Sequence, residues 1–211
     1  MQLKQTARDA LLKPLQAVSG IVERRHTLPI LANVLLEQKD GRLYVTATDL
    51  EMQITAHSEL PGKEAQSVTV AARKLQDLLR ALPEDISLNV ETAGSRMTVR
   101  AGRSRFNLQT LPAVDYPRIG QSQDQVQALA LPQRDLRGLL KSVEFAMAQQ
   151  DIRYYLNGML LVLEGDKLIA VATDGHWLSY ACMVIGGARE RQEVILPRKT
   201  VQELSKLLSD S

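Results

Sequence analysis

The chain has 211 residues, of which 45% are hydrophobic and 24% charged, and its net charge is +2. This length suits one or two domains, no apolar stretch approaches the roughly 18 residues of a membrane span, and the opening MQLKQTARDALLKPL lacks the apolar core and cleavage site of a secretory signal. The single cysteine, Cys182, excludes an internal disulfide and a cysteine metal cluster and fits a reducing cytoplasm, and its neighbours in YACMV predict a buried structural thiol.

In chain order, a short strand around Leu3 and Gln5 leads into a helix over 8–19, where Leu11, Leu12, Leu15 and Val18 form one apolar stripe. Strands are predicted over 30–37, 43–48 and 52–57, the first two joined by KDGR, in which Asp-Gly suits a hairpin. A strand over 67–71 then precedes a helix over 72–82 with a stripe of Leu75, Leu78, Leu79 and Leu82, closed by Pro83. Three more strands, 86–91, 96–100 and 105–109, are separated by the turns AGSR and AGRS. The pattern is βαβββ twice over, an α+β domain with antiparallel sheets and two helices.

The chain then repeats itself at a spacing of about 125 residues. QLKQTARDAL at 2–11 is echoed by QALALPQRDL at 127–136, and LANVLLEQKDGRLYVTATDL at 31–50 by LNGMLLVLEGDKLIAVATDG at 156–175. SVTVAARKLQDLLRAL at 67–82 is echoed by QEVILPRKTVQELSKLL at 192–208. A first domain over 1–125 and a second over 126–211 follow, with helices at 134–149 and 198–208. The second copy lacks counterparts of the strands over 86–109, so the expectation is a piece of a longer protein with an incomplete second domain.

Asp174 and His176 in VATDGHWL have the order of a triad pair, a carboxylate that orients an imidazole. Asp49 occupies the same place in the first copy without a histidine, which favours an aspartate that fixes a turn through backbone N–H groups. A hydrolase would also need a nucleophile, and neither G-x-S-x-G nor a reactive cysteine is present. His26, His57 and His176 lack metal-ligand spacing, and no cofactor is expected. Trp177 fits a core position by pattern, or the lining of a groove by its place after a turn.

The predicted helices hold eleven Lys and Arg against five acids, a balance of +6 that leaves −4 for the rest of the chain. Basic helices beside acidic sheets and loops suggest a surface for a polyanion. ERRHTLP at 23–29 adds Arg24 and Arg25 on a loop, and QQDIRYYL at 149–156 adds two amides, an arginine and two tyrosines after the third helix. The tyrosines suit backbone or stacking contacts with nucleic acid, or alternation along a strand. Without a recognition helix or zinc finger, binding should be independent of sequence and weakened by salt.

LLKPLQAVSGIVERRHTLPILANVLL, TDLEM, ARK, GRSRFNLQTLPAVDYP, QQDIRYYLNGML and VATDGHWL together resemble the bacterial sliding clamps, the beta subunits of the replicative DNA polymerase. The resemblance implies tandem domains of the repeated type, with antiparallel sheets outside and helices inside. It further implies that two subunits of three such domains each pair head to tail in a ring around duplex DNA. By the resemblance, the sequence is expected to hold the first domain and most of the second, without the third. DNA contacts fall on Arg25, Arg73, Lys74, Gln150, Tyr154, Tyr155, Arg198 and Lys199. A cleft for the polymerase, the clamp loader and other partners falls on Arg153, Leu156, Thr173, Gly175, His176, Trp177 and Leu178. Trp177 departs from the family pattern, in which a basic residue follows the histidine. The implied role is a non-enzymatic, cytoplasmic processivity factor. A plain sequence-independent DNA binder would leave the tandem repeat unexplained.

Overall fold

The computed structural model describes residues 1–22, 28–60, 65–120 and 128–209. The chain divides into two compact units, Met1–Gln121 and Ser122–Ser211. In the first, β1 (Gln2–Ala7) and α1 (Arg8–Val18) precede β2 (Asn33–Lys39), β3 (Arg42–Thr48) and β4 (Gln53–Glu59). β5 (Gln66–Ala71) and α2 (Ala72–Arg80) then precede β6 (Ser87–Ala93), β7 (Arg96–Ala101) and β8 (Ser104–Leu111). The βαβββ order is the one expected from the sequence. β2 starts three residues later than the pattern suggests, because Pro29–Ala32 forms a 3-10 turn that buries Leu31. Proline has no N–H for a ladder and its φ is locked, so the strand begins beyond it.

In space the two βαβββ motifs exchange their first strands. The sheet order is β1-β6-β7-β8-β5-β2-β3-β4, so β1 lies beside the strands of the second motif and β5 beside those of the first. β5 pairs with β2 from Asn33↔Ala71 to Gln38↔Gln66, whereas only Thr69↔Leu111 and Val70↔Thr110 join β5 to β8. That narrow join is reinforced by Thr69, which is fully buried; its hydroxyl donates to the Leu111 carbonyl at 2.9 Å and accepts from Asn33 Nδ2 at 3.0 Å.

The core gathers Leu11, Leu15 and Val18 of α1 with Leu75 and Leu79 of α2 against strand residues such as Val34, Val45, Val70 and Val99. Each buried Leu contributes about 1.5–3 kcal/mol. Pro14 lies inside α1 and removes the N–H that would bond the Ala10 carbonyl. Ser58 of β4 supplies the missing donor, its hydroxyl 2.6 Å from the Ala10 oxygen. The opposite face of β2–β4 is covered by the segment after β8. There the buried Tyr116 hydroxyl lies 3.3 Å from the carbonyls of both Asn33 and Thr46. Burial pushes this phenol up to about 12.

The second unit contains α3 (Gln133–Val143), β9 (Gly158–Glu164), β10 (Lys167–Thr173), β11 (Leu178–Val184), β12 (Gln192–Pro197) and α4 (Arg198–Leu207). Its sheet order, β11-β10-β9-β12, repeats the β4-β3-β2-β5 half of the first unit. Leu139, Leu140 and Val143 of α3 and Val201 of α4 close the core over Met159, Leu168 and Ala170.

Four expectations are corrected here. The helix predicted to 149 stops at Val143 and a 3-10 turn, because the backbone N–H of Ala148 is taken by the Leu156 carbonyl at 3.0 Å. The echo of β1 over 128–132 is not a strand, since no strand equivalent to β6 stands among the described residues of this unit to pair with it. Tyr154 and Tyr155 lie on a 3-10 turn and both are exposed, so they do not alternate along a strand. Cys182 is exposed, because β11 is an edge strand and this residue falls on its outward register, opposite Ile169. No described helix is long and apolar enough to cross a membrane.

Ser58→Ala leaves the Ala10 carbonyl without its donor and is expected to destabilise the first unit by about 1–3 kcal/mol in a denaturant titration. Cys182 is expected to react fully with a maleimide in the native protein; protection until unfolding would contradict its outward register.

Candidate nucleic-acid interface and partner groove

The Thr-Asp turn occurs once in each unit with the same bonds. Asp49 Oδ1 accepts the N–H groups of Glu51 at 3.1 Å and Met52 at 2.9 Å, and Asp174 Oδ1 accepts those of His176 and Trp177, both at 2.8 Å. Thr48 and Thr173 donate to the carbonyls of Met52 and Trp177 at 2.8 and 2.6 Å. The Asp174 carboxylate is therefore directed to backbone N–H groups, and its role is to fix the turn, as the sequence comparison suggests. Those two N–H groups, Trp177 first and then His176, hold its pKa below the ordinary 3.8.

This turn carries most of the expected cleft residues. Thr173 is half-buried, Gly175 and His176 are exposed, and Trp177 and Leu178 are 72% and 69% exposed. The core reading of Trp177 is overturned. Its first-unit equivalent, Met52, packs against the core, whereas Trp177 stays outside the core of its own unit, although both residues enter edge strands. Leu156, at the end of the 3-10 turn Tyr154–Leu156 in the connection 147–157, is buried. Arg153 reaches from that connection to the turn, where a Cβ on Gly175 would lie 2.9 Å from Arg153 Nη2.

Two residues that the sequence reading passed over organise the connection. The Asp151 carboxylate accepts Arg153 Nε at 3.1 Å, Nη2 at 3.0 Å and the Arg153 backbone N–H at 2.8 Å. The Arg153 side chain, and then its backbone N–H, lower the Asp151 pKa to about 2. Asn157 brackets Asp151, its Oδ1 accepting the Asp151 N–H and its Nδ2 donating to the Asp151 carbonyl, both at 2.9 Å. The available signal was an Asp and an Asn flanking an arginine in a short polar stretch, a pattern of local side-chain to backbone bonding.

Arg73 and Lys74 are exposed in the first turn of α2, and Arg198 and Lys199 are half-buried in the first turn of α4. Neither helix has an acid in that turn or a side-chain cap. Arg198 also ties α4 to both ends of the connection, its Nη1 donating to the Met147 carbonyl at 2.7 Å and its N–H to Asn157 at 2.9 Å. The connection also holds Gln150, in a left-handed backbone with φ 57, and the tyrosine pair, whose ring centroids lie 6.0 Å apart at 79°. Within the second unit, Gln150, Tyr154 and Tyr155 therefore lie on the connection whose two ends Arg198 binds. Arg25 lies outside the described residues.

The four observed helices carry eleven Lys and Arg against four acids. Arg8 does not add to that surface, being buried with Nη1 on the Leu82 carbonyl at 2.8 Å and Nη2 on Asp9 at 2.9 Å.

Residues 1–120 match the family described as DNA polymerase III beta subunit, N-terminal domain, and residues 130–211 match its central domain. The Beta sliding clamp of Escherichia coli (strain K12) is 50% identical over 202 residues, which cover 95% of this chain and 55% of the relative. That of Vibrio cholerae is 48% identical with the same coverage. The crystal structure of the DNA polymerase III subunit beta from Pseudomonas aeruginosa superposes with a TM-score of 0.94 at 44% identity, covering 100% of this chain and 57% of the other. A second structure of that clamp, bound to griselimycin, gives 0.93 at 44% identity. The chain spans about half the length of the curated relatives it matches.

Because its folded pKa is depressed, Asp174 supports the turn fully above the ordinary carboxylate value of 3.8, and that support fades as pH falls through the lowered one. A carboxyl-detected NMR titration is expected to place its midpoint below 3.8; a midpoint above that value would contradict the backbone bonds.

Proposed function

This chain belongs to the DNA polymerase III beta subunit family, with two of the family's domains represented, and we propose that it serves as part of a cytoplasmic, non-enzymatic sliding clamp. In this reading, head-to-tail pairing of subunits closes a ring around duplex DNA and tethers the replicative polymerase and other replication proteins to it.

The observation that carries the DNA side is the Arg-Lys pair at the start of α2 and again at the start of α4. Cations in the first turn oppose the helix dipole, which disfavours them by about 0.3–1 kcal/mol each. Helix stability therefore does not account for the pair, and beyond the bond of Arg198 to the Met147 carbonyl an incoming phosphate does. The first-turn N–H groups and the two cations together favour an anion there. Arg73, Lys74, Arg198 and Lys199 then meet the DNA backbone, joined by Gln150, Tyr154 and Tyr155, with Arg25 added by resemblance alone. Phosphate contacts carry no base information, which suits a ring that must move along any sequence. Enclosure retains the duplex without tight binding.

The partner side lies on the 173–178 turn and the connection 147–157. Trp177 and Leu178 supply exposed apolar area, Leu156 the floor, and Arg153, Thr173, Gly175 and His176 the polar margin of a groove for an apolar peptide. Griselimycin, which the Pseudomonas aeruginosa clamp binds, is the probe we propose for this groove.

Replacing Arg73 and Lys74 together by Glu is expected to weaken duplex binding about equally for unrelated sequences and to reduce the slope of log K against log salt by about two. Fluorescence anisotropy between low and moderate salt measures both, and an unchanged slope would remove α2 from the interface. The assembled ring is expected to stay on nicked circular DNA and to run off once the circle is cut, whereas equal retention on both would favour a binder that does not encircle.

A further inference from the structure

The two copies of the Thr-Asp turn differ at one position in a way backbone conformation does not explain. Gly175 adopts φ 91, and the equivalent Leu50 adopts φ 77. A left-handed backbone there thus tolerates a leucine, at a cost of about 1–3 kcal/mol. The Arg153 guanidinium occupies the space that a side chain at 175 would enter, with Nη2, Nη1 and Cζ at 2.9, 3.5 and 3.6 Å from the position of a Cβ. At the repeat spacing of 125, the residue equivalent to Arg153 is Leu28. The first unit therefore carries Leu28 and Leu50 where the second carries Arg153 and Gly175. The glycine and the arginine change together.

An arginine half in solvent does not hold one position unaided, since its side chain carries about 2 kcal/mol of rotamer entropy. The Arg153 side chain is 50% exposed, yet Asp151 binds it through both carboxylate oxygens. Asp151 is held in turn by the Asn157 pincer on its backbone N–H and carbonyl, and the N–H of Arg198 is bound to the carbonyl of Asn157, next to β9. Such an exposed pair contributes little to folding, with a median near 0–1 kcal/mol. Its geometric effect is larger, because it joins two segments more than twenty residues apart in sequence.

We propose that Asp151 is a positioning residue of the partner groove, holding the Arg153 guanidinium against Gly175 so that the connection 147–157 and the 173–178 turn form one rigid wall. This deepens the groove reading and rests on it. With the wall preset, the partner peptide does not have to order Arg153 on binding, a cost of about 0.5–1.5 kcal/mol for such a side chain. Asp151 need not touch the peptide.

The test compares Asp151→Asn, Asp151→Glu, Arg153→Ala and the Asp151→Asn/Arg153→Ala double variant. Asparagine leaves the backbone pincer in place and removes the charge, whereas glutamate keeps the charge on a longer arm. In 15N NMR of the chain, Asp151→Asn is expected to shift the Gly175 amide and to speed exchange of the Arg153 Nε proton about tenfold, the scale of one lost charge-assisted hydrogen bond. Glutamate is expected to restore part of both effects. An unmoved Gly175 amide would overturn the proposal whatever the ligand does. With griselimycin as the probe, calorimetry is expected to show affinity falling about three- to tenfold in Asp151→Asn, with no further loss when that change is added to Arg153→Ala. Equal losses in both backgrounds would mean a general structural role and also overturn it. Arg153→Ala without effect on griselimycin would instead remove the groove reading, while the Gly175 amide still decides whether Asp151 positions Arg153.

Discussion

Each helix but α3 begins at the residue after a strand ends. β1 runs into α1 at Ala7–Arg8, β5 into α2 at Ala71–Ala72, and β12 into α4 at Pro197–Arg198. With no linker, the ladder register of the strand fixes where the helix starts and which residues form its first turn. For β5 that register is set by six pairs with β2, and for β12 by six pairs with β9. The Arg-Lys pair thereby falls in the first turn of both helices, as the second and third residues of α2 and the first and second of α4.

Strand exchange extends this constraint to the whole first unit. β1 leaves its own motif to pair with β6, and β5 pairs along its length with β2 and only at two positions with β8. The helices that follow are then drawn over a shared core, with Leu11 and Leu15 of α1 in the same cluster as Leu75 and Leu79 of α2. Burial of these side chains consumes one face of each helix and leaves the charged residues other than Arg8 outward. The hydrophobic effect, which has no directional preference, thus produces a directional charge pattern through the register of the strands.

The second unit makes the same turn with a different exposure of its last residue. Thr48–Met52 closes a hairpin and sends Met52 inward, whereas Thr173–Trp177 makes the same bonds and leaves Trp177 outside. Identical backbone chemistry thus supports a plain turn in one copy and an exposed apolar surface, the wall of the proposed groove, in the other. The difference lies in side chains that the hydrogen bonds do not involve: Leu50 against Gly175, and Leu28 against Arg153.

Much of this was legible in the sequence because it depends on local periodicity. The stripe Leu11, Leu12, Leu15 and Val18 predicts α1, and all four are buried. Comparing Asp49 with Asp174 separates a turn-fixing aspartate from a catalytic one, because an Asx turn is made within four residues. The adjacency of Arg73 to Lys74 and of Arg198 to Lys199 is likewise in the chain itself. What the sequence did not determine are the contacts between residues far apart in it. Pro14 alone argues against a helix, and only the arrival of Ser58 from β4 resolves the missing hydrogen bond. The end of α3 depends on the Leu156 carbonyl, the exposure of Cys182 on β11 being an edge, and the use of Gly175 on an arginine twenty-two positions earlier. Periodicity and turn chemistry act over a few residues and survive in the sequence, whereas partner strands, stray donors and shared space exist only once the chain has closed on itself.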